Sequence, residues 1–236
     1  MSSFLTGQDG QAIPIEGALC PAIRPIRGWQ WGRICFLRGF MHALYQGKID
    51  NFCAMYAVLN AVQVLFGLAP LHARKIFNRA MMEQARDLEN FQRILEHRTD
   101  YVALVDRMIE DIREHDFPKL KVEAPFAPGT PFQTVWEGLR ACAEPSLPRV
   151  SVFRFLRFAP PHERPYVDHW TVGHYMDTEG LHFLDCSLEA GALYSLPYVR
   201  LTDIDKPLRR DYVVIVPESV RILSVSRNQG LSAFPV

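Results

Sequence analysis

Between Phe52 and Leu68 the apolar residues Met55, Val58, Leu59, Val62, Leu65 and Phe66 recur at the three-four spacing of a helix. The stripe is broad, so this helix must lie against another layer of structure to bury it. Asp50 and Asn51 stand just ahead of it and are favoured N-capping residues, which places Cys53 in the first helical turn. The apolar run Ala54 to Ala69 is interrupted by Asn60, Gln63 and Gly67 and falls short of the roughly 20 residues that a membrane span requires. It reads as a core helix, and no membrane association is expected.

The remainder of the chain divides around this element. Residues 1–40 mix Gly, Pro and aromatic residues (Pro14, Pro21, Pro25, Trp29, Trp31) without a sustained period and read as an N-terminal arm packed on the body. A second helical region, in two or more pieces, is predicted from Leu71 to His115. Ile94, Tyr101, Val105, Met108 and Ile112 form its apolar stripe opposite a charged face. Pro118, Pro125, Pro128, Gly129 and Pro131 punctuate 116–131, and a short helix is predicted from Phe132 to Ala143. After Pro148 the pattern is strand: Val150–Phe158, Trp170–Met176, Leu181–Leu184, Tyr212–Val216 and Val220–Val225. The expectation is an α+β chain in one compact unit, with a helical part at 41–124 and an antiparallel β part at 125–236.

Composition excludes several classes. Lys+Arg and Asp+Glu are 26 each, so there is no basic field to hold a phosphate backbone, and nucleic acid is not an expected partner. Five cysteines (20, 35, 53, 142 and 186) without a C-x-x-C argue against a disulfide framework or a zinc ribbon. Met1 to Ile15 shows no secretory signal. Reduced thiols and a cytoplasmic location are expected, or delivery to another cell by a non-classical route.

The chemistry-bearing residues fall into one constellation. A cysteine at a helix start has exposed N–H groups and a helix dipole to stabilise its thiolate; taken alone, a lone cysteine such as Cys53 is more often a small buried hydrophobe. Gln46 lies upstream, where an amide can donate to an oxyanion. His169 enters an apolar strand, and Asp185 ends the next strand across the turn Asp177-Thr178-Glu179-Gly180. An imidazole fixed by a carboxylate is what a Cys–His pair requires. For the two to share a sheet face, the hairpin needs an odd loop or a bulge, and a three-residue loop with Gly180 left-handed satisfies this. Asp168 adjoins His169 but points to the other face. His174 and His182 lack a metal-ligand partner set, and His97 and His115 fall on a solvated helix face. Trp170 reads as core packed over or beside the histidine, Cys186 as a strand residue beside the site, and Arg209-Arg210 as a solvated turn. No metal and no cofactor are expected.

The segment Gln46-Gly47-Lys48-Ile49-Asp50-Asn51-Phe52-Cys53-Ala54-Met55-Tyr56-Ala57, with His169-Trp170-Thr171-Val172-Gly173-His174-Tyr175 and Phe183-Leu184-Asp185, resembles the Gln, Cys, His and Asp/Asn blocks of papain-like cysteine peptidases. It is most similar to compact bacterial forms such as the bacteriocin-leader peptidases and the related deamidase effectors. The resemblance implies a papain-like fold and a thiol hydrolase acting on a protein or peptide substrate. Cys53 would be the nucleophile, His169 base then acid, Asp185 the orienter, and Gln46 an oxyanion donor with the Cys53 N–H. Two departures stand out: Gln46 is one residue further from the cysteine than is usual in the family, and Ala54 replaces a common glycine. The first lets Asn51 share the oxyanion role. Rival readings are deamidation of a partner protein's glutamine and a non-catalytic binding module on the same scaffold.

Overall fold

The apolar stripe at the head of the helical region forms helix α1, Cys53–Phe66, in a computed structural model that describes residues 43–44, 52–143, 148–187 and 195–226. The arm at 1–40 lies outside these residues, as do Gln46, Asp50 and Asn51. Met55, Val58, Leu59, Val62 and Leu65 are all buried, as their spacing predicts. The helix begins one residue later than a cap at Asn51 would make it: Phe52 holds the N-cap, without any side-chain capping bond, and the Tyr56 N–H donates to Phe52 O at 3.0 Å. It ends at Gly67, whose φ of 69° is a left-handed cap that lets its N–H donate to Gln63 O at 2.8 Å.

The second helical region is three helices: α2 (Pro70–Ala85), α3 (Leu88–Leu95) and α4 (Tyr101–His115). Pro70 opens α2, where a missing N–H costs nothing. Asp87 caps α3 by accepting from the Glu89 and Asn90 N–H groups, and Asp100 caps α4 by accepting from Ala103. These two caps divide the predicted stripe, so Ile94 belongs to α3 and Val105, Met108 and Ile112 to α4. His97 sits in the intervening turn with φ 55°, not on a helix.

The strands are β1 (Leu120–Glu123), β2 (Arg149–Phe158), β3 (Val167–Met176), β4 (Leu181–Phe183), β5 (Ser195–Leu196), β6 (Tyr212–Ile215) and β7 (Arg221–Val225), with α5 (Phe132–Cys142) between β1 and β2. Their order is β1-β7-β2-β3-β4-β5, every pair is antiparallel, and β6 continues alongside β2 beyond β7. The protein is therefore an α+β structure with an antiparallel sheet. β1 and β5 escape sequence patterning because four and two residues are too few to show a period.

Alternation assigns the two sheet faces. Val150, Val152, Trp170 and Val172 join α1 and α4 in one apolar cluster, while Phe153, Phe155, Phe183, Val213 and Ile215 join Val135 and Leu139 of α5 in another. Trp170 is thus buried in the layer under α1. Arg221 of β7 ties the helices to the sheet: it is 6% exposed and donates to both Asp106 carboxylate oxygens, at 2.6 and 2.8 Å, and to the carbonyls of Glu218 and Val220. Among the described residues no helix is long and apolar enough to cross a membrane.

A second polar tie joins α2 to the end of α4. Asp116 accepts from His72 Nε2 at 2.7 Å and pairs with Arg79, which also donates to Asp111. Burial pushes the Asp116 carboxyl up, but Arg79 and His72 outweigh it and hold it below its ordinary value. A depressed carboxyl stabilises above its unfolded pKa and loses that contribution as pH falls through the folded one. Asp116→Asn is therefore expected to cost about 1 kcal/mol in urea unfolding at pH 7, Arg79 being partly solvated. The difference from the native protein should close as the pH is lowered towards 3. A pH-independent difference would show that packing, not charge, is what the substitution removes.

Candidate active site

The hairpin between β3 and β4 decides where Asp185 points. Met176 pairs with Leu181, so the loop is the four residues Asp177–Gly180, not the three expected. The Asp177 carboxylate accepts from the Glu179 and Gly180 N–H groups at 2.8 and 3.2 Å and rigidifies the turn. Gly180 has φ 141°, a positive value that residues with a side chain rarely adopt, and glycine is also required there for clearance, since a Cβ would stand 2.3 Å from Leu196 O. An even loop alone would put His169 and Asp185 on opposite faces. Between the pairs Gly173↔Phe183 and Tyr175↔His182, however, β3 carries one extra residue, His174, and this bulge restores the parity. The Leu184 N–H donates to Val172 O at 2.8 Å, extending the pairing towards Asp185.

As a result, His169 Nε2 lies 3.1 Å from Asp185 Oδ1. Asp185 is 3% exposed, and the Ser187 N–H also donates to Oδ1, at 2.7 Å, fixing the carboxylate from behind. The Cys186 Sγ lies 3.8 Å from the same Nε2. Phe155 meets the imidazole edge to face at 5.7 Å. Burial works against the imidazolium, but hydrogen bonds to Asp185, to Cys186 and to Cys53 outweigh it, so the ring keeps its proton well above its ordinary value of 6.5. With Nε2 engaged by Asp185, Nδ1 is the nitrogen that can exchange a proton with Cys53.

Cys53 is the first residue of α1 and is buried. The helix's first internal bond is made by Tyr56, so the N–H groups of Cys53, Ala54 and Met55 have no acceptor within the helix and point their dipoles at the thiol end. Around Cys53 stand two groups that sequence reading missed. Tyr101, at the start of α4, has its hydroxyl pushed up to about 12 by burial, with the Cys53 charge adding to the shift. Arg154 donates to both oxygens of Asp168, at 2.7 and 2.5 Å, and also feels the Cys53 charge. Asp168 is thereby committed to Arg154, which leaves Asp185 as the carboxylate on His169. Neither Tyr101 nor Arg154 announces itself in sequence, because each feels the Cys53 charge from a distant element while its own hydrogen bonds go elsewhere, Tyr101 to Ile94 O and Arg154 to Asp168.

Gln46 and Asn51, the oxyanion candidates, lie outside the described residues. Leu44, two positions before Gln46, is held in place: its N–H donates to Asn60 Oδ1 at 2.7 Å and its carbonyl accepts from Asn60 Nδ2 at 3.2 Å. Asn60 is fully buried on α1. A polar residue inside a helix's apolar face was the available signal for such a clamp.

The remaining sequence candidates separate from the site. His182 pairs with Asp177 at 2.9 Å and stacks on Tyr175, and burial holds His174 down to about 4. Cys142 is buried in the α5 cluster with its thiol pushed up to about 12 by desolvation. Two surface cavities among the described residues, one on α2 and one lined by Leu156, Pro161 and Leu208, include none of Cys53, His169 and Asp185. One potential set of metal donors does occur, and sequence reading did not find it: His169, Asp185 and Cys186 each offer an atom within 4.8 Å of the others. Comparison of the chain with protein-family models, with curated proteins and with solved structures finds no match in any of the three.

Proposed function

We propose that the protein is a thiol hydrolase with a papain-like arrangement, cleaving an amide bond in a protein or peptide through a Cys53–His169–Asp185 triad. The observation that carries this reading is one imidazole contacted by a helix-start cysteine and held on Nε2 by a buried carboxylate. In this reaction the Cys53 sulfur attacks the carbonyl carbon as thiolate, and the oxyanion that forms is stabilised by N–H groups at the head of α1. His169 gives its Nδ1 proton to the leaving amine as the tetrahedral intermediate collapses to a thioester. It then takes a proton from the water that hydrolyses the thioester, while Asp185 keeps the ring oriented throughout.

The direct test is incubation of the full chain with a complex mixture of denatured proteins, followed by mass spectrometry of new N-termini and an ammonia assay. New termini made by the native protein and lost in Cys53→Ala are expected. Ammonia released without new termini, and dependent on Cys53, would move the reaction to side-chain deamidation. Neither product would leave a binding module on this scaffold as the better account.

A further inference from the structure

We propose that His169, Asp185 and Cys186 form a binding site for a divalent metal of the zinc type, and that metal held there switches off the Cys53–His169 chemistry. The first part stands on the donor geometry alone; the second rests on the thiol-hydrolase reading. A tetrahedral zinc ion with ordinary bond lengths separates a thiolate sulfur from an imidazole nitrogen by about 3.6 Å, and that nitrogen from a carboxylate oxygen by about 3.4 Å. Here the corresponding separations are 3.8 Å and 3.1 Å, and all three donor atoms fall within 4.8 Å of one another.

Two further observations point the same way. Nε2 carries a single proton, yet both a carboxylate oxygen and a sulfur converge on it; an ion in place of that proton satisfies both. Asp185, 3% exposed, also has a second oxygen, Oδ2, with no hydrogen-bond partner among the described residues. A buried carboxylate oxygen without a donor is costly unless a cation or a water completes it, and an ion taken by Oδ1 would stand beside the same carboxylate, where Oδ2 shares its charge. The Ser187 N–H on Oδ1 is the kind of outer contact that orients a ligating carboxylate. Cys186 and Asp185 are adjacent in sequence just past the end of β4, where the Leu184 N–H still donates to Val172 O of β3, and His169 is on β3, so the three donors come from one stretch of paired chain.

Metal entry has a defined proton balance. The ion replaces the proton on Nε2 and the proton on the Cys186 thiol, releasing up to two protons as three coordinate bonds form, with a fourth position left for water. The ring then has its Nε2 bound to the metal in place of the Asp185 hydrogen bond. It can no longer hold the imidazolium charge that stabilises the Cys53 thiolate, and the thiol chemistry stops.

The test uses the full chain stripped with a chelator and titrated separately with Zn²⁺ and Co²⁺. One equivalent of Zn²⁺ at micromolar or tighter affinity is expected, with proton release. Co²⁺ should give the near-ultraviolet absorption of a thiolate–cobalt bond. Cys186→Ala and Cys186→Ser should each abolish that absorption and weaken Zn²⁺ at least tenfold, while Cys53→Ser keeps both; circular dichroism checks that each variant is folded. An absorption that survives in the Cys186 variants and vanishes in Cys53→Ser overturns the site, as does the absence of Zn²⁺ binding at 100 micromolar. Stoichiometric Zn²⁺ should also slow iodoacetamide labelling of Cys53 in the native chain and not in Cys186→Ala. Binding without that slowing overturns the switch. If Cys53 is unreactive under all conditions the hydrolase reading fails, and the metal titration still decides the site.

Discussion

Replacing His169 by alanine is expected to slow alkylation of Cys53 at pH 6.5 by about tenfold or more. An ordinary thiol, with a pKa near 8.5, is only about 1% ionised at that pH, whereas one paired with an imidazolium at a helix start is largely thiolate. Some of this gain is offset because a thiolate of lower basicity is a weaker nucleophile, with a Brønsted slope of about 0.4–0.5. Burial opposes the imidazolium, but its hydrogen bonds to Asp185, Cys186 and Cys53 outweigh that and hold the His169 pKa well above its ordinary value. A raised pKa keeps the charged ring present through neutral pH and loses it only in strong alkali, so the advantage of Cys53 should persist from pH 5 to 8 and not titrate away through 6.5. Asp185→Asn keeps an acceptor for Nε2 while removing the charge, and an intermediate rate is expected. The measurement is the iodoacetamide rate at each cysteine by mass spectrometry, with a chelator present, and with buried Cys142 as the internal reference. If Cys53 tracks Cys142 in both the native protein and His169→Ala, no thiolate–imidazolium pair exists and the hydrolase reading falls.

Much of this arrangement was legible in the order of residues. The α1 stripe, the start of a helix at Cys53 and the strand that carries His169 each follow from local period and composition, because each is set within a dozen residues; Asp185 follows β4, which stops at Phe183, rather than ending the strand as its pattern suggests. The need for a loop of odd length or a bulge was also legible, since side-chain alternation in a strand is strict. Which of the two occurs was not. The bulge adds His174 to β3, and the turn beside it brings Gly180 against Leu196, a residue 16 positions further on; no local pattern reports either feature. The same reason hid Cys186 as a third group on His169. Its sequence neighbourhood is that of any strand end, and its sulfur meets Nε2 only once the chain past β4 is paired back against β3. Arg154 was invisible for a related reason: an arginine in an alternating strand reads as the solvent-facing residue, whereas here it fixes Asp168 and leaves Asp185 as the carboxylate on the imidazole.

Gly180→Ala should be the most damaging small substitution in the β3–β4 hairpin, with an expected loss of about 3 kcal/mol or more in unfolding free energy. Its Cβ would stand 2.3 Å from Leu196 O, 2.7 Å from Leu196 C and 2.9 Å from Pro197 Cα, all backbone atoms that no rotamer change can move aside. The φ of 141° adds a conformational cost for any residue with a side chain. Either β5 must withdraw from β4, uncovering Leu181 and Leu196 in the apolar cluster beneath, or the turn must re-form with a different loop count. Gly129→Ala is the matched control: its φ is 78°, but nothing lies within 4 Å of the added Cβ, so strain acts there without a clash and about 1 kcal/mol is expected. Chemical denaturation of the two variants measures the difference directly. The two routes open to Gly180→Ala also separate at the active site. Withdrawal of β5 lowers stability and leaves the β3–β4 register intact, so the Cys53 alkylation rate is retained. A changed loop count turns Asp185 to the opposite face, and the Cys53 rate then falls towards that of His169→Ala even where the chain remains folded. Equal stability losses for Gly180→Ala and Gly129→Ala would show that the close approach of Leu196 does not constrain the turn, and that some other contact sets the bulge on which the His169–Asp185 pairing depends.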